Sequence, residues 1–335
     1  MHIPDGFLTA PTAIATGVVS AGALAQSVRT AGKSLNERQI PLVGLTAAFI
    51  FAVQMINFPV GLGTSGHLIG GALAAILLGP WLATLVLSIV LIVQAIGFAD
   101  GGITALGANI SLMGLVAGMG AYLIFSVLVR LLPRTRTGYL AATAATAWAS
   151  VVAASVLCSV YLLLRGFPSE VFGVMVGLHA LIGIGEAVIT TAVVGAVVQA
   201  RPELVATRGH LPAAVMTPSG RVSARRSRAF VLLGLGLSLF IAMGVSAFAS
   251  SAPDGLESAV LRAVCDGDEA CLEERAGEAI FDAAPLADYA ITPLSGLVGV
   301  VATFAVGAGI VGVARTRRGV ARRRRSGSDT HAPVR

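Results

Sequence analysis

The chain has 335 residues, of which 56% are hydrophobic and only 12% are charged. A mean hydropathy of +0.85 excludes a water-soluble globule, and the apolar residues occur in runs close to the length that spans a bilayer. The formal net charge of +6 is read as a signal for membrane topology and not as nucleic-acid binding. We therefore expect an all-α polytopic membrane protein.

The amino terminus is the first candidate functional element. A histidine in second position offers one metal ion three nitrogens, namely the α-amine of Met1 and the amide and imidazole of His2. The fused chelate rings that these donors close hold the nitrogens near one plane. The imidazole of His67, after a glycine-rich stretch, would complete a four-nitrogen site that suits Ni(II), Cu(II) or low-spin Co(II) better than tetrahedral Zn(II).

Nine apolar runs are candidate membrane spans. The third is short for a full crossing and ends at Gly79 and Pro80, which predicts a tilted or broken helix. We expect the first seven runs to form a substrate-binding bundle and the last two to form a hairpin. The nine runs cover approximately residues 10–28, 40–59, 67–78, 81–97, 107–132, 139–164, 171–200, 229–250 and 291–314.

The positions of the basic residues predict the orientation. With the amino terminus outside the cell, nearly all of the 23 Lys and Arg residues fall on the cytoplasmic side. Both Met1 and His67 then lie on the extracytoplasmic side, and the carboxyl terminus is cytoplasmic. The run from Arg322 to Arg325 is read as a solvated tail near anionic lipid.

A basic, proline-containing stretch separates the two membrane units. The extracytoplasmic loop of the hairpin, residues 251–290, is rich in acidic residues and contains Cys265 and Cys271. These cysteines are expected either to form a small disulfide, to remain free thiols or to bind a soft metal. The expected segments are the bundle at 1–200, a cytoplasmic linker at 201–228, the hairpin at 229–314 and a cytoplasmic tail at 315–335.

Five blocks in the first 200 residues, and one in the hairpin, carry a resemblance to a known family. The blocks are MHIPDGFL at 1–8, QMINFP at 54–59, GTSGHLIGG at 63–71, DGGITALGAN at 100–109, HALIGIGEA at 179–187 and PDGLE at 253–257. The first five resemble the CbiM/NikM family, the substrate-capturing membrane component of energy-coupling-factor cobalt and nickel importers. The last resembles the accessory domain equivalent to the small CbiN/NikN subunit.

The resemblance implies a function and a set of ligands. It implies that Met1 and His2 ligate Co²⁺ or Ni²⁺ and that His67 closes the plane. It also implies partners on other polypeptides, namely a transmembrane coupling component and two ATPase subunits, so that the chain itself is a transporter subunit and not an enzyme. Asp5 falls in a matching block, where it would either orient a ligand imidazole or act as a turn or cap residue.

Several polar residues inside the predicted spans have two interpretations each. Gln54, Asn57 and Asn109 would either support the metal ligands or form interhelical hydrogen bonds. His179 and Glu186 lie seven residues apart on one span, and we expect a hydrogen-bonded pair there, with a role in an ion pathway as the alternative.

Small residues on the second span, at Gly44, Ala48 and Ala52, form a further candidate surface. In the family such a stripe would meet the coupling component. Packing within the chain is the alternative.

Two functions from other classes remain as alternatives. A metal-gated channel or sensor that works without ATP would need polar or charged groups along a pore, and the spans are nearly uncharged. A membrane-embedded metallohydrolase would need an open coordination position and a general base, whereas four nitrogens close the expected site. The sequence does not choose between cobalt and nickel.

Overall fold

The computed structural model describes residues 1–34, 40–213, 224–276 and 284–328. The fold is mainly helical, with one short antiparallel pair of strands. The elements of the first part are α1 (Ala10–Ser34), α2 (Ile40–Gln54), β1 (Phe58–Gly61), β2 (Thr64–Gly66), α3 (Gly71–Leu78), α4 (Pro80–Phe98), α5 (Leu106–Asn109), a π-helix (Ile110–Gly120), α6 (Ala121–Leu131), α7 (Arg136–Arg165) and α8 (Glu170–Ala200). Those of the second part are α9 (Ala224–Met243), α10 (Gly255–Ala263), α11 (Glu269–Ala276) and α12 (Thr292–Ser328).

Six helical stretches among the described residues are long and apolar enough to cross a membrane. The predicted count of nine spans, and its division into seven and two, is therefore not established. The helix α2 is apolar but has 15 residues, and α3 has only 8. The six stretches are Pro80–Phe98, Leu106–Leu131, Arg136–Arg165, Glu170–Ala200, Arg228–Phe248 and Thr292–Thr316.

The third predicted span is broken, as the sequence indicates. Helix α3 covers about 12 Å of a hydrocarbon core that is about 30 Å thick, and non-helical backbone precedes it. Every residue from Thr64 to Gly79 is buried. A Cβ on Gly71 would lie 2.3 Å from the carbonyl oxygen of Ala117, so α3 approaches the π-helix as closely as only glycine permits. Protein thus surrounds the non-helical backbone, which is the condition for such backbone at membrane depth.

The hairpin packs along α2 through its helices α9 and α12. A Cβ on Gly44 would lie 2.7 Å from the carbonyl oxygen of Phe304, and one on Gly299 would overlap the ring of Phe51. Ala48 and Ala52 are fully buried. The small-residue stripe of α2 therefore lies in an interface within the chain.

The first residues of the predicted linker are fixed to the bundle. The amide of Ala206 donates to the carbonyl of Leu77 at 2.9 Å, and the hydroxyl of Thr207 donates to the carbonyl of Ile76 at 3.1 Å. These bonds satisfy carbonyls at the end of α3. Residues 214–223 of the linker and 329–335 of the tail lie outside the described residues, as do the side chains of Arg322 to Arg325.

A short disulfide-closed segment follows α10 in the loop of the hairpin. Asp254 caps α10 by accepting from the amides of Leu256 at 2.7 Å and Glu257 at 2.9 Å, and the Glu257 carboxylate accepts from the amide of Asp254. A disulfide joins Cys265 to Cys271, whose Cα atoms are 5.7 Å apart. Of the three expectations for these cysteines, the disulfide is confirmed.

Candidate metal centre

The amino-terminal segment is inserted into the bundle and held by its backbone. Ile3 is fully buried. Its amide donates to Asn109 Oδ1 at 2.8 Å, and its carbonyl accepts from Asn109 Nδ2 at 3.0 Å and from the amide of Gly102 at 2.9 Å. Asn109 therefore positions the backbone that carries the predicted ligands. Its hydrogen bonds run to the amino-terminal segment, and it contacts no predicted ligand nitrogen in them.

Asp5 anchors the same segment farther along the chain. Its carboxylate accepts from the hydroxyl and the amide of Thr104, the latter at 2.8 Å, and from the amide of Ile103 at 3.3 Å. The described hydrogen bonds of Asp5 thus run to the loop before α5 and not to an imidazole. A Cβ on Gly102 would lie 2.3 Å from the Asp5 nitrogen, so this close approach depends on glycine.

His67 lies directly after β2 with its ring fixed in one tautomer. Its Nδ1 is 2.9 Å from the carbonyl oxygen of Leu68. A carbonyl oxygen only accepts, so Nδ1 carries the hydrogen and Nε2 presents a lone pair. That Nε2 is 2.9 Å from the Met1 amine nitrogen. The structure thus brings together two of the predicted donors, Met1 and His67, which are 66 positions apart in the chain.

Glu186 and Gln54 hold the backbone that follows His67. The two Glu186 carboxylate oxygens accept from the amides of Ile69 at 2.7 Å and Gly70 at 2.9 Å. Gln54 donates to the carbonyl of Ile69 at 2.8 Å. These bonds partner the non-helical backbone before α3, which would otherwise be buried without partners.

The prediction of a hydrogen bond between His179 and Glu186 is wrong. Seven residues of helix separate the two by about 10.5 Å along the axis, and His179 instead donates from Nδ1 to the Met175 carbonyl at 2.8 Å. A Cβ on Gly255 would lie 2.5 Å from His179 Cε1. His179 therefore lies where the hairpin packs on α8.

His2 lies beside His67 but faces a different partner. The two rings stack with centroids 4.9 Å apart and an interplanar angle of 8°. His2 Nδ1 is 2.9 Å from Asp100 Oδ1, and Asp100 Oδ2 accepts from the Tyr289 hydroxyl at 2.6 Å. Burial raises the pKa of the Asp100 carboxyl, but the His2 ring and the Tyr289 hydroxyl outweigh it and hold that pKa well below its usual range.

The hairpin also contacts the amine. Asp254 Oδ2 is 2.6 Å from the Met1 nitrogen and 4.0 Å from His67 Nε2. Burial raises the pKa of the Asp254 carboxyl, whereas the positive amine and His67 lower it, and the net effect is a pKa well below the usual range. Sequence reasoning missed Asp100, Asp254 and Tyr289 as neighbours of the site.

A cavity of about 410 Å³ opens between the amino terminus and the hairpin. Gln54 and Asn57 line it, and each has a buried side-chain oxygen without a hydrogen-bond partner. In the described part of the chain no group of three or more His, Cys, Asp and Glu residues is arranged to hold a metal.

The long apolar helices and the cavity lined by His2, His67 and several carboxylates define a multi-pass membrane protein with a candidate ion-binding site. The chain belongs to the CbiM family, because the model of the cobalt uptake substrate-specific transmembrane region matches residues 2–204. A PDGLE domain matches residues 228–316. The resemblance to CbiM/NikM fused to a PDGLE domain is therefore confirmed.

Proteins of the same organisation are among the relatives. A protein of Archaeoglobus fulgidus, provisionally named as the fused nickel transport protein NikMN, is 37% identical over 242 residues, which are 70% of this chain and 79% of that protein. The fused nickel transport protein NikMN of Rhodobacter capsulatus is 43% identical over 127 residues, 38% of this chain and 37% of that one. Both relatives are named as transport proteins, which agrees with the prediction that this chain is a transporter subunit and not an enzyme.

A solved structure is similar to part of this chain. It is the crystal structure of a truncated transition metal transporter, with 31% identity and a TM-score of 0.51. The match covers 58% of this chain and 96% of that chain.

Proposed function

We propose that the chain is the substrate-specificity component of an ATP-driven energy-coupling-factor importer for Co²⁺ or Ni²⁺. Membership of the CbiM family supports the metal and the membrane location. In this proposal the cavity faces the extracytoplasmic side, the carboxyl terminus is cytoplasmic, and a coupling component and two ATPase subunits are supplied by other polypeptides. The relatives with the fused organisation are named for nickel, which makes Ni²⁺ the first ion to test.

The distance of 2.9 Å between the Met1 nitrogen and His67 Nε2 is the observation that carries the proposal. Metal–nitrogen bonds are about 2.0–2.1 Å long, so two nitrogens at right angles around one ion lie about 2.9 Å apart. The two donors are thus spaced as neighbours in a plane before any ion is bound. The hydrogen bond from His67 Nδ1 to Leu68 keeps the second ring nitrogen available.

His2 supplies the other two donors in the proposed site. Its deprotonated amide lies between the amine and the imidazole in the chain, so the three nitrogens close a five-membered and a six-membered ring around one ion. Only Nδ1 of the His2 ring is near enough to the backbone to close the six-membered ring. The resulting set of four nitrogens favours Ni²⁺ and low-spin Co²⁺ and disfavours Zn²⁺.

The free amine gives the sharpest test, because this site needs it more than any side chain. One residue added before Met1 should abolish Ni²⁺ binding, whereas the same residue added after Arg335 should leave it unchanged. His2→Ala and His67→Ala should each lose binding as well. Mass spectrometry confirms the amino terminus, and calorimetry with the purified full chain measures the binding.

The absorption spectrum tests the geometry independently. The wild-type chain should form a yellow, diamagnetic Ni²⁺ complex and release protons as it forms. Undiminished binding by the amino-terminally extended chain, a six-coordinate oxygen-rich spectrum, or Zn²⁺ binding as tight as that of Ni²⁺ would each contradict the proposed site.

A further inference from the structure

A chain of three side chains connects His2 to the hairpin. His2 Nδ1 is 2.9 Å from Asp100 Oδ1, and the Tyr289 hydroxyl donates to Asp100 Oδ2 at 2.6 Å. Both oxygens of Asp100 are therefore engaged, one by His2 of the amino-terminal segment and one by Tyr289, three residues before α12. Through Asp100, the hairpin is connected to the His2 imidazole.

Tyr289 is fixed firmly enough to position Asp100. Its ring stacks on Phe98 with centroids 4.9 Å apart and an interplanar angle of 17°. The amide of Leu286 donates to the carbonyl of Gly97 at 3.1 Å, which seats the segment on the end of α4. Asp288 and Tyr289 both have positive φ, 50° and 56°, and non-glycine residues persist there only where their surroundings determine the backbone.

His2 Nδ1 cannot contact Asp100 and bind a metal ion at the same time. A ring nitrogen has one in-plane position for either a hydrogen or a metal ion, and His2 Nδ1 uses that position toward Asp100. The proposed chelate requires this same atom. A turn of the His2 ring is therefore one of the changes that metal entry needs, together with release of the Met1 amine from its contacts with His67 and Asp254.

We propose that Tyr289 is a positioning residue that acts through Asp100 to hold His2 in its metal-free orientation, so that the hairpin sets how fast the site loads. The inference rests on the proposed function, because it takes His2 as a metal ligand. It assigns the hairpin an effect on a named atom, Nδ1 of His2.

A contact that exists only in the metal-free state has a distinctive kinetic effect. Weakening it enlarges the fraction of molecules in which His2 is free to bind, so the apparent association rate rises. The loaded complex has already lost the contact, so the rate of metal dissociation stays the same. A residue that supported the loaded site would do the opposite and change dissociation.

Two variants of the chain and two matched controls test whether association changes while dissociation does not. Asp100→Asn removes the charge that holds His2, and Tyr289→Phe removes only the hydroxyl that holds Asp100. The control Asp288→Asn removes a charge from the same cavity, and Asn tolerates positive φ. The control Tyr122→Phe also removes a tyrosine hydroxyl, but on α6.

Stopped-flow absorbance with Ni²⁺ alone and the full chain in nanodiscs should show faster association. The expected increases are about tenfold for Asp100→Asn and about threefold for Tyr289→Phe, with dissociation and the final spectrum unchanged. Both controls should match the wild type. Association that is unchanged or slower, or dissociation that is faster in the two test variants, would overturn the proposal.

Nitrogen-15 spectra of the histidine-labelled, metal-free chain give a second measurement. The His2 Nδ1 resonance should shift in Asp100→Asn and Tyr289→Phe and stay in place in the controls. An unchanged His2 resonance in both test variants would also overturn the proposal. Retained Ni²⁺ binding in His2→Ala would instead refute the proposed metal site, so the two failures are distinguishable.

Discussion

The bundle and the hairpin hold the amino-terminal segment in different ways. The bundle binds its backbone, through Asn109 and Gly102 on Ile3. The hairpin contacts the proposed metal ligands of this segment, through Asp254 on the Met1 amine and through Tyr289 by way of Asp100. In the proposed site, the backbone bonds inside the bundle would position the donors, whereas the charged and hydroxyl contacts of the hairpin would compete with a bound ion.

The burial of the helices shows the same contrast. Among the spanning residues, 72% are buried in α4 and 39–44% in the other three long stretches of the bundle, whereas the value is 17% for Arg228–Phe248 and 28% for Thr292–Thr316. The hairpin is therefore a peripheral element that reaches the site through its loop. Substitutions in the bundle should abolish the site, and substitutions in the hairpin should alter access to it.

The largest effect is expected for Asn109→Leu. It leaves the amide of Ile3 without a partner, at a cost of about 1–3 kcal/mol, and removes one of the two bonds to the Ile3 carbonyl, which keeps the bond from Gly102. The amino-terminal segment should leave its position, and Ni²⁺ affinity measured by calorimetry should fall more than about a hundredfold. Asn109→Asp keeps the acceptor for the Ile3 amide and should show a smaller loss. Wild-type affinity in Asn109→Leu would show that the bundle does not position the donors.

A smaller loss is expected for Glu186→Gln. Glutamine keeps one acceptor oxygen but turns an NH₂ group toward a second backbone amide, so one of the bonds to Ile69 and Gly70 is lost. The loop that carries His67 should loosen, with a Ni²⁺ affinity about tenfold lower. Glu170→Gln, an exposed change at the start of the same helix, is the control. Equal affinity in both variants would contradict the role given to Glu186.

The smallest effect on metal binding is expected for Asp254→Asn, which instead loosens the hairpin. Asparagine still caps α10, so the substitution removes mainly the ion pair with Met1. Hydrogen exchange in α10 should become about tenfold faster. Asp268→Asn removes an equal charge from a residue that caps the next helix and should not have this effect. Unaltered exchange in Asp254→Asn would show that the ion pair does not seat the loop.

The same contact predicts a dependence on pH. The pKa of the Asp254 carboxyl is lower in the folded chain than its ordinary value, so the folded state binds fewer protons than the unfolded state in the acid range. Its contribution to hairpin docking is therefore complete above the ordinary carboxyl pKa of about 3.9 and is lost as the pH falls through the lowered value. Hydrogen exchange in α10 should accordingly be insensitive to this carboxyl near neutral pH.

Local patterns in the sequence predict the elements better than they predict the contacts of the site. The apolar runs at 139–164 and 171–200 match α7 and α8 closely, and the short run ending at Gly79 correctly predicts a broken crossing. Such features follow from composition and from glycine and proline, which act within a few residues. The π-helix carries no comparable signal, since its apolar run is equally suited to an α-helix.

The neighbours of the site come from distant parts of the chain. Asp254 and Tyr289 lie more than 180 positions from His67, and no periodicity relates them to it. The seven-residue spacing of His179 and Glu186 predicts a shared helix face, but the rise of the helix separates their side chains. Each then bonds to backbone, His179 on its own helix and Glu186 on another segment, and sequence spacing does not reveal that.

The bonds of Ala206 and Thr207 to the end of α3 give the tether between bundle and hairpin a fixed starting point. A linked module meets its site at an effective concentration that is of the order of millimolar for a short linker. After each opening the hairpin loop would therefore return to the site of its own chain. The fraction of sites covered by a hairpin loop then becomes independent of how many copies of the protein the membrane contains. For a hairpin on a separate polypeptide, that fraction would instead depend on the concentration of the hairpin.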